Sequence, residues 1–346
     1  RERRGASGVP ASERVGGSGG AKPPGKKWNF APGAGLTWSP FKNGRTTIRA
    51  GGGLFYDWLE AETFEQTLRV DGARQQDVVV VNPGYPDPFS GAAGQQVLPT
   101  SKYLLADGLV MPKRAVGLVA VTQQLSQTFS LNVSYSHANG WDRFRGRNVN
   151  APLNGVRPNP ALGNVTEVES TARLESDTIN VGMNFNIPPR RTFLFANYSW
   201  NRQRNDADGP FSLPADNYDL AAEWGRAGGV PRHIASAVLN TTLMKNLRMA
   251  MSTSARAGAP YTITTGRDDN GDTVFNDRPP GVSRNSARGK VTYDLGGRLS
   301  YSLGFGRRAG EGGGGAGMPQ RIVMVGGGGG GMMMGGGGAG NEDKRY

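Results

Sequence analysis

The sequence predicts an all-β fold: an antiparallel transmembrane β-barrel, crossing its membrane with strands instead of helices. Three observations predict it. Apolar residues alternate with polar ones through long stretches, consecutive stretches are joined alternately by very short and very long segments, and aromatic side chains gather near the stretch ends.

Alternation comes first. Residues 179–187 place Ile179, Val181, Met183, Phe185 and Ile187 on one face, with Asn180, Gly182, Asn184 and Asn186 opposite. Phe129, Leu131, Val133 and Tyr135 form the same pattern, as do Val291, Tyr293, Leu295, Leu299, Tyr301, Leu303 and Phe305. Period two means a strand with one apolar and one polar face. Nine strands are expected, at 33–41, 45–56, 112–125, 127–137, 176–187, 191–201, 231–243, 247–261 and 288–305. Helical periodicity is weak and best at Trp58–Leu68.

The connections carry the second observation. Lys42-Asn43-Gly44, Ser126, Pro188-Pro189-Arg190 and Met244-Lys245-Asn246 are short, and Asn-Gly and Pro-Pro are strong turn signals. Between them lie the long segments 57–111, 138–175, 202–230 and 262–287. A compact soluble domain rarely carries one structureless loop beyond ~15 residues. Outer-membrane barrels have this asymmetry, with short periplasmic turns and long external loops. The expected strands also exceed the ~5–6 residues usual in a sandwich. Trp38, Phe41, Tyr56, Trp58, Trp141, Trp200 and Tyr261 sit where interfacial girdles would lie.

Composition bounds the alternatives. The 346 residues include 54 Gly, 22 Pro and no Cys, with a net charge of +12. Without Cys there is neither a disulfide scaffold nor a thiolate metal site. No window holds the ~18–20 consecutive apolar residues of a membrane helix. Residues 1–27 (basic, rich in Gly, Ser and Pro) and 306–346 (Gly-rich, with Met332-Met333-Met334) are low in complexity and expected to be disordered. The folded portion is expected at 28–305. The chain opens with Arg1-Glu2-Arg3-Arg4, lacking a start Met and a signal peptide's apolar core, and reads as an internal portion of something longer.

The segments that carry a family likeness recur in order. They include Asn29-Phe30-Ala31-Pro32, Trp38-Ser39-Pro40-Phe41, Thr47 through Asp57, Asn82 through Phe89, and Arg147-Asn148-Val149-Asn150-Ala151-Pro152. Tyr198-Ser199-Trp200, Gly258 through Asp272, Phe275-Asn276-Asp277-Arg278-Pro279 and Arg284-Asn285 continue the series. Over 28–305 the chain thus resembles the barrel of TonB-dependent outer-membrane receptors of the Oar-like group, whose members usually carry an N-terminal carboxypeptidase regulatory-like domain. Gly33 departs from the group's usual Arg. The resemblance implies a plugged barrel of about 22 strands, of which this chain supplies about nine. The final strands after Lys344-Arg345-Tyr346, the plug and the TonB-contacting segment are expected outside it. It further implies uptake of a bulky ligand across the outer membrane of a Gram-negative bacterium, energised by the TonB–ExbB–ExbD machinery, with no catalysed reaction. A passive porin, a barrel-anchored adhesin and a secreted β-rich binding protein are the competing readings.

One constellation carries potential chemistry. Asp268, Asn270 and Asp272 have the spacing that lets alternate oxygens converge on a hard cation, and Asp277 could close the site. This imitates the opening of a Ca2+ loop but has Thr273 where an EF-hand has Gly, and Pro279 where it has its last carboxylate. A string of Asx turns would use the same residues. His137 and His233, the only histidines, have no Ser or Asp partner at a diagnostic spacing, so no hydrolase triad is expected. Gly51-Gly52-Gly53 lacks the following Lys-Ser or Lys-Thr of a phosphate loop and reads as strand. The basic charge suits outer-membrane lipid and lipopolysaccharide or an acidic ligand, and no nucleic-acid partner is expected, because the aromatics follow strand alternation. Ligand contacts are expected on the four long loops, at residues the sequence does not single out.

Overall fold

The computed structural model describes residues 28–303, apart from 72, 74–77, 81, 91–94 and 98. The expectations for 1–27 and for 306–346 lie outside the described residues. Nine long strands form the main sheet: β1 (Gly33–Trp38), β2 (Thr46–Tyr56), β3 (Lys113–Gln124), β4 (Phe129–Asn148), β5 (Val165–Ile187), β6 (Thr192–Asn205), β7 (His233–Met244), β8 (Leu247–Arg256) and β9 (Thr292–Tyr301). Each pairs antiparallel with the next in chain order, and the sheet is open between β1 and β9. One helix, α1 (Ala61–Arg69), stands close to where helical spacing was expected.

Register turns the alternation of single strands into a continuous surface. The row Trp38–Ile48–Val121–Val133–Val181–Tyr198–Ala235–Ala255–Tyr293 crosses all nine strands, each residue opposite the next. One position over, Thr47, Thr122, Asn132, Gly182, Asn197, Ser236, Ser254 and Asp294 form a polar row on the other face. A one-residue slip anywhere would mix the two surfaces. The apolar row begins beside a short turn at Trp38 and ends near a long loop at Tyr293. Its drift is the stagger that tilts strands in a closed wall.

Nothing among the described residues covers the apolar face. Trp38 remains 56% exposed, Tyr293 77% and Leu295 75%. A sandwich would bury this face against a second sheet; lipid is the surround that makes it stable.

The turn ends match expectation. Gly44 takes φ +63° and donates its amide to Phe41 O at 3.0 Å, while Asn43 Oδ1 accepts from the Arg45 amide. Pro188–Arg190 form one 3-10 turn, closed by Arg191 in the left-handed region. Gly51–Gly53 lie within β2, paired on both sides, and a Cβ on Gly52 would come within 2.8 Å of Val116 O, so close strand approach explains the glycines.

Three boundaries differ most from the sequence expectation. β4 and β5 run far past 137 and 176, leaving only 149–164 as the connecting loop instead of 138–175. Val165, Val168 and Ala172 are buried in this extension, and the short parallel strand Lys102–Leu105 pairs with Val165–Val168. Asp142, at φ +55°, sits in the bulge that lets the hairpin twist there. Finally, β8 ends at Arg256, and Pro260–Tyr261 instead pair with Ala287–Arg288.

Candidate functional site

At the long-loop end, segments 149–164, 206–230 and 262–287 fold against one another. Asn148 is the first hub. Its side-chain oxygen accepts from the amides of Asn150 (3.0 Å) and Val165 (3.1 Å), and its own amide donates to Asn217 Oδ1 at 2.7 Å. Asn217 in turn donates to Asp272 Oδ2 at 3.0 Å, and Asn164 donates to Thr273 Oγ1 at 2.9 Å. Arg157 adds bonds to Asn150 O and Asn164 Oδ1. Three segments distant in sequence thereby meet around Asp272, which is 2% exposed.

The structure brings Asp268, Asn270, Asp272 and Asp277 into one tight loop. Asp268 Oδ1 and Asn270 Oδ1 do converge, each 2.9 Å from the same donor, the Asp272 amide. Asp268 Oδ2 accepts from Thr273 N–H and Asp272 Oδ1 from Val274 N–H, both at 2.8 Å. Asp277 accepts from the Asp269 amide at 2.7 Å and from Asn270 Nδ2 at 2.9 Å. Gly271 and Thr273 take positive φ to aim these amides inward. Backbone N–H groups thus converge on these side-chain oxygens and hold the loop closed, while each carboxylate has about four lone-pair sites in all. No group of three or more His, Asp or Glu side chains among the described residues is arranged to hold a metal. Burial pushes the Asp272 carboxyl above its ordinary range; the Asp268 and Asp277 charges add to this, while the Val274 amide and Arg157 oppose it.

A second group, unforeseen in the sequence, holds the base of the loops. Arg145 on β4 pairs with Asp206 at 2.7 Å, with side chains 3% and 4% exposed. Asp219 caps the short 3-10 turn Leu220–Glu223 through the Ala221 and Ala222 amides. That turn presents Glu223 to Arg278 at 2.8 Å and to the Ala215 amide at 3.1 Å. Arg284 donates to Asn205 O and Oδ1, each at 2.9 Å, and pairs with Asp208. Arg278 and Arg284 lay within the quoted likeness, but their partners 55 to 79 positions away could not be read from spacing.

The two histidines lie at the upper rim of the wall. His137 does have an acidic partner: register places Asp177 opposite, with Nδ1 2.8 Å from Asp177 Oδ1, which also accepts from the Tyr135 hydroxyl. His233 Nδ1 lies 2.8 Å from the Tyr198 hydroxyl. Neither set contains a serine, so these are cross-strand polar contacts at the end of the apolar belt.

Geometry of this kind, a staggered wall with an apolar outside and a cap of folded loops, is that of an outer-membrane barrel. Residues 6–297 match the model of the outer membrane beta barrel domain, and the chain belongs to that family. It therefore resides in the outer membrane of a Gram-negative cell. Among solved structures, the outer membrane transporter YddB from Escherichia coli is similar with a TM-score of 0.53 at 10% identity, over 77% of this chain and 33% of that one. The FrpB iron transporter from Neisseria meningitidis gives a TM-score of 0.47 at 14% identity over 79% and 32%. The siderophore receptor PirA from Acinetobacter baumannii gives 0.47 at 11% over 80% and 35%. This chain spans about a third of the length of those structures. No curated protein sequence matches it.

Proposed function

We propose that this barrel is the wall of a TonB-dependent outer-membrane transporter of the Oar-like group, taking up a bulky ligand. One observation carries the reading: nine staggered strands and their long loops follow the fold of an outer-membrane transporter through most of this chain. In this reading the apolar row meets lipid, the Thr/Asn/Ser row lines the lumen, and the interlocked loops form the external face that meets the ligand. A plug and the TonB, ExbB and ExbD partners belong to the same proposal, and no chemical step does. The experiment is depletion of candidate solutes from the medium by cells expressing the intact protein, before and after a protonophore. Uptake that stops with the proton gradient supports active transport. Uptake that continues, with open conductance in planar bilayers, identifies a passive porin instead.

Calcium belongs to this proposal as a stiffener of the 266–287 loop, at Asp268, Asn270, Asp272 and Asp277. The amide donors described above position these oxygens, and the ion would use their remaining lone pairs. Protection of the Asp272 and Thr273 amides from exchange, compared in calcium and in chelator, decides it.

A further inference from the structure

The upper part of β6 loses its regular neighbour where β7 begins, because His233 is the first β7 residue to pair, opposite Trp200. On that edge, beyond this point, β6 is bridged by two separate hydrogen bonds and a two-residue ladder. The Asn201 amide donates to Arg232 O at 2.8 Å, the Ala227 amide donates to Gln203 O at 3.0 Å, and Gly225–Arg226 pair with Asn205 and Arg204. A cavity of about 430 Å³ opens there, a size that accepts a small organic ligand.

Its lining is one-signed. Arg202, Arg204, Arg226, Arg232, Arg284 and Arg288 all border it, and no lining residue is Asp or Glu. Arg284 is already engaged by Asp208 and Glu223, and Arg202 lies 3.7 Å from Asp177. Arg204 stacks over Trp224, its guanidinium carbon 5.2 Å from the ring centroid. The other three, Arg226, Arg232 and Arg288, have no carboxylate within 4 Å among the described residues. Burial, and then the charges of Arg288 and Arg232, hold the Arg226 guanidinium below its usual value. Gathering like charges in a half-covered cavity is unfavourable by itself and becomes favourable once an anion enters. Guanidinium forks match phosphate oxygens in pairs. Gln203, Ser283 and Ser286 add neutral groups at the margin for hydroxyls.

We propose that this cavity binds a multiply charged phosphate ester, its oxygens held by Arg226, Arg232 and Arg288. The ester could be the headgroup of an outer-leaflet glycolipid or a soluble solute. Strand alternation puts Arg202 and Arg204 on the same face as Tyr198 and Trp200, at the end of the lipid-facing belt, which places headgroup chemistry within reach. The inference stands whether or not the barrel transports.

The test is calorimetry on the intact protein in a nonionic detergent, with inorganic pyrophosphate as one probe. A bisphosphorylated glucosamine glycolipid carried in the micelles is the other. Variant R226Q/R288Q is compared with the control R248Q/R298Q, which removes two exposed wall arginines elsewhere. At least one probe is expected to bind, about tenfold or more weakly in R226Q/R288Q and unchanged in the control. Pyrophosphate alone identifies a soluble ester, and glycolipid alone a headgroup; both outcomes support the site. Failure of both probes to bind, equal binding by the double variant, or displacement of pyrophosphate by equimolar sulfate or citrate overturns it. Retained heat-modifiable gel mobility reports folding; should the double variant lose it, R288Q alone, at an exposed position, carries the comparison.

Discussion

The wall and the loop cap of this molecule are held together by different physics. In the wall, each strand bonds to its chain neighbour and the row from Trp38 to Tyr293 repeats one rule at every position. In the cap, Asn148 reaches Asn217, Asp272 is held from Asn217, and Arg145 meets Asp206, contacts between segments dozens of residues apart. In the wall, loss of a single side chain leaves the backbone ladder in place. The cap depends on a few buried charges and polar hubs. Mutation should therefore separate the two regions cleanly.

The largest effect is expected in the cap. Asp206→Ala leaves Arg145 buried without its carboxylate, and removing one partner of a buried pair costs about 3–5 kcal/mol. Among the described residues, Arg145 Nε and Nη1 already lack hydrogen-bond partners. The expected outcome is rapid proteolytic nicking within 206–230 while the wall keeps its heat-modifiable mobility. Loss of both together would show that wall and cap unfold as one unit.

In the wall the discriminating change is a charge placed on either face. Val181→Arg puts a guanidinium into the apolar row and costs about 2–4 kcal/mol near the bilayer midplane. Asn180→Arg, one residue away, points to the lumen side and should change unfolding in urea from lipid vesicles far less. Equal effects would sink the assignment of faces. A smaller effect belongs to Gly225→Ala, where the new Cβ would stand 2.7 Å from Arg284 O. Overpacking of this kind costs about 1–3 kcal/mol, and faster exchange of the Ala227 amide should report it.

The same contrast explains what could be read from the sequence. All nine strands were legible because period two is a local property, visible in Ile179–Ile187 without knowing any partner. The extension of β4 and β5 was not, since Val165 and Val168 fall on opposite faces and Thr166, Glu167 and Glu169 are buried with them, so no period-two pattern survives there. The Asp268–Asp277 loop was legible as a cluster, but its amide donors come from backbone angles at Gly271 and Thr273 that residue types only hint at. Asp206 offered no signal at all. Its partner is chosen by the fold, through a strand register and a loop path that the neighbouring residues do not encode.

The finest prediction divides the cap against itself by pH. Burial raises Asp272, so the folded state holds its proton more tightly than the unfolded chain does. Stability from this group therefore increases as pH falls from above its folded pKa toward the ordinary aspartate range, and is lost as pH rises. Asp208 has the opposite sign. Burial pushes it up, but hydrogen bonds from Arg284, Asn205 and the Gly228 amide outweigh this and hold it below its usual value. Its contribution is complete above the unfolded pKa and disappears as pH falls through the folded one. Exchange at the Asp269 amide, in the same loop but not bonded to Asp272, should slow relative to the intrinsic rate as pH falls toward the ordinary aspartate range. Exchange at the Gly228 amide, bonded to Asp208, should hold over that range and speed up only below it. Parallel responses would mean that the loops open together, and the cap would then be one cooperative lid on the barrel instead of two separately held segments.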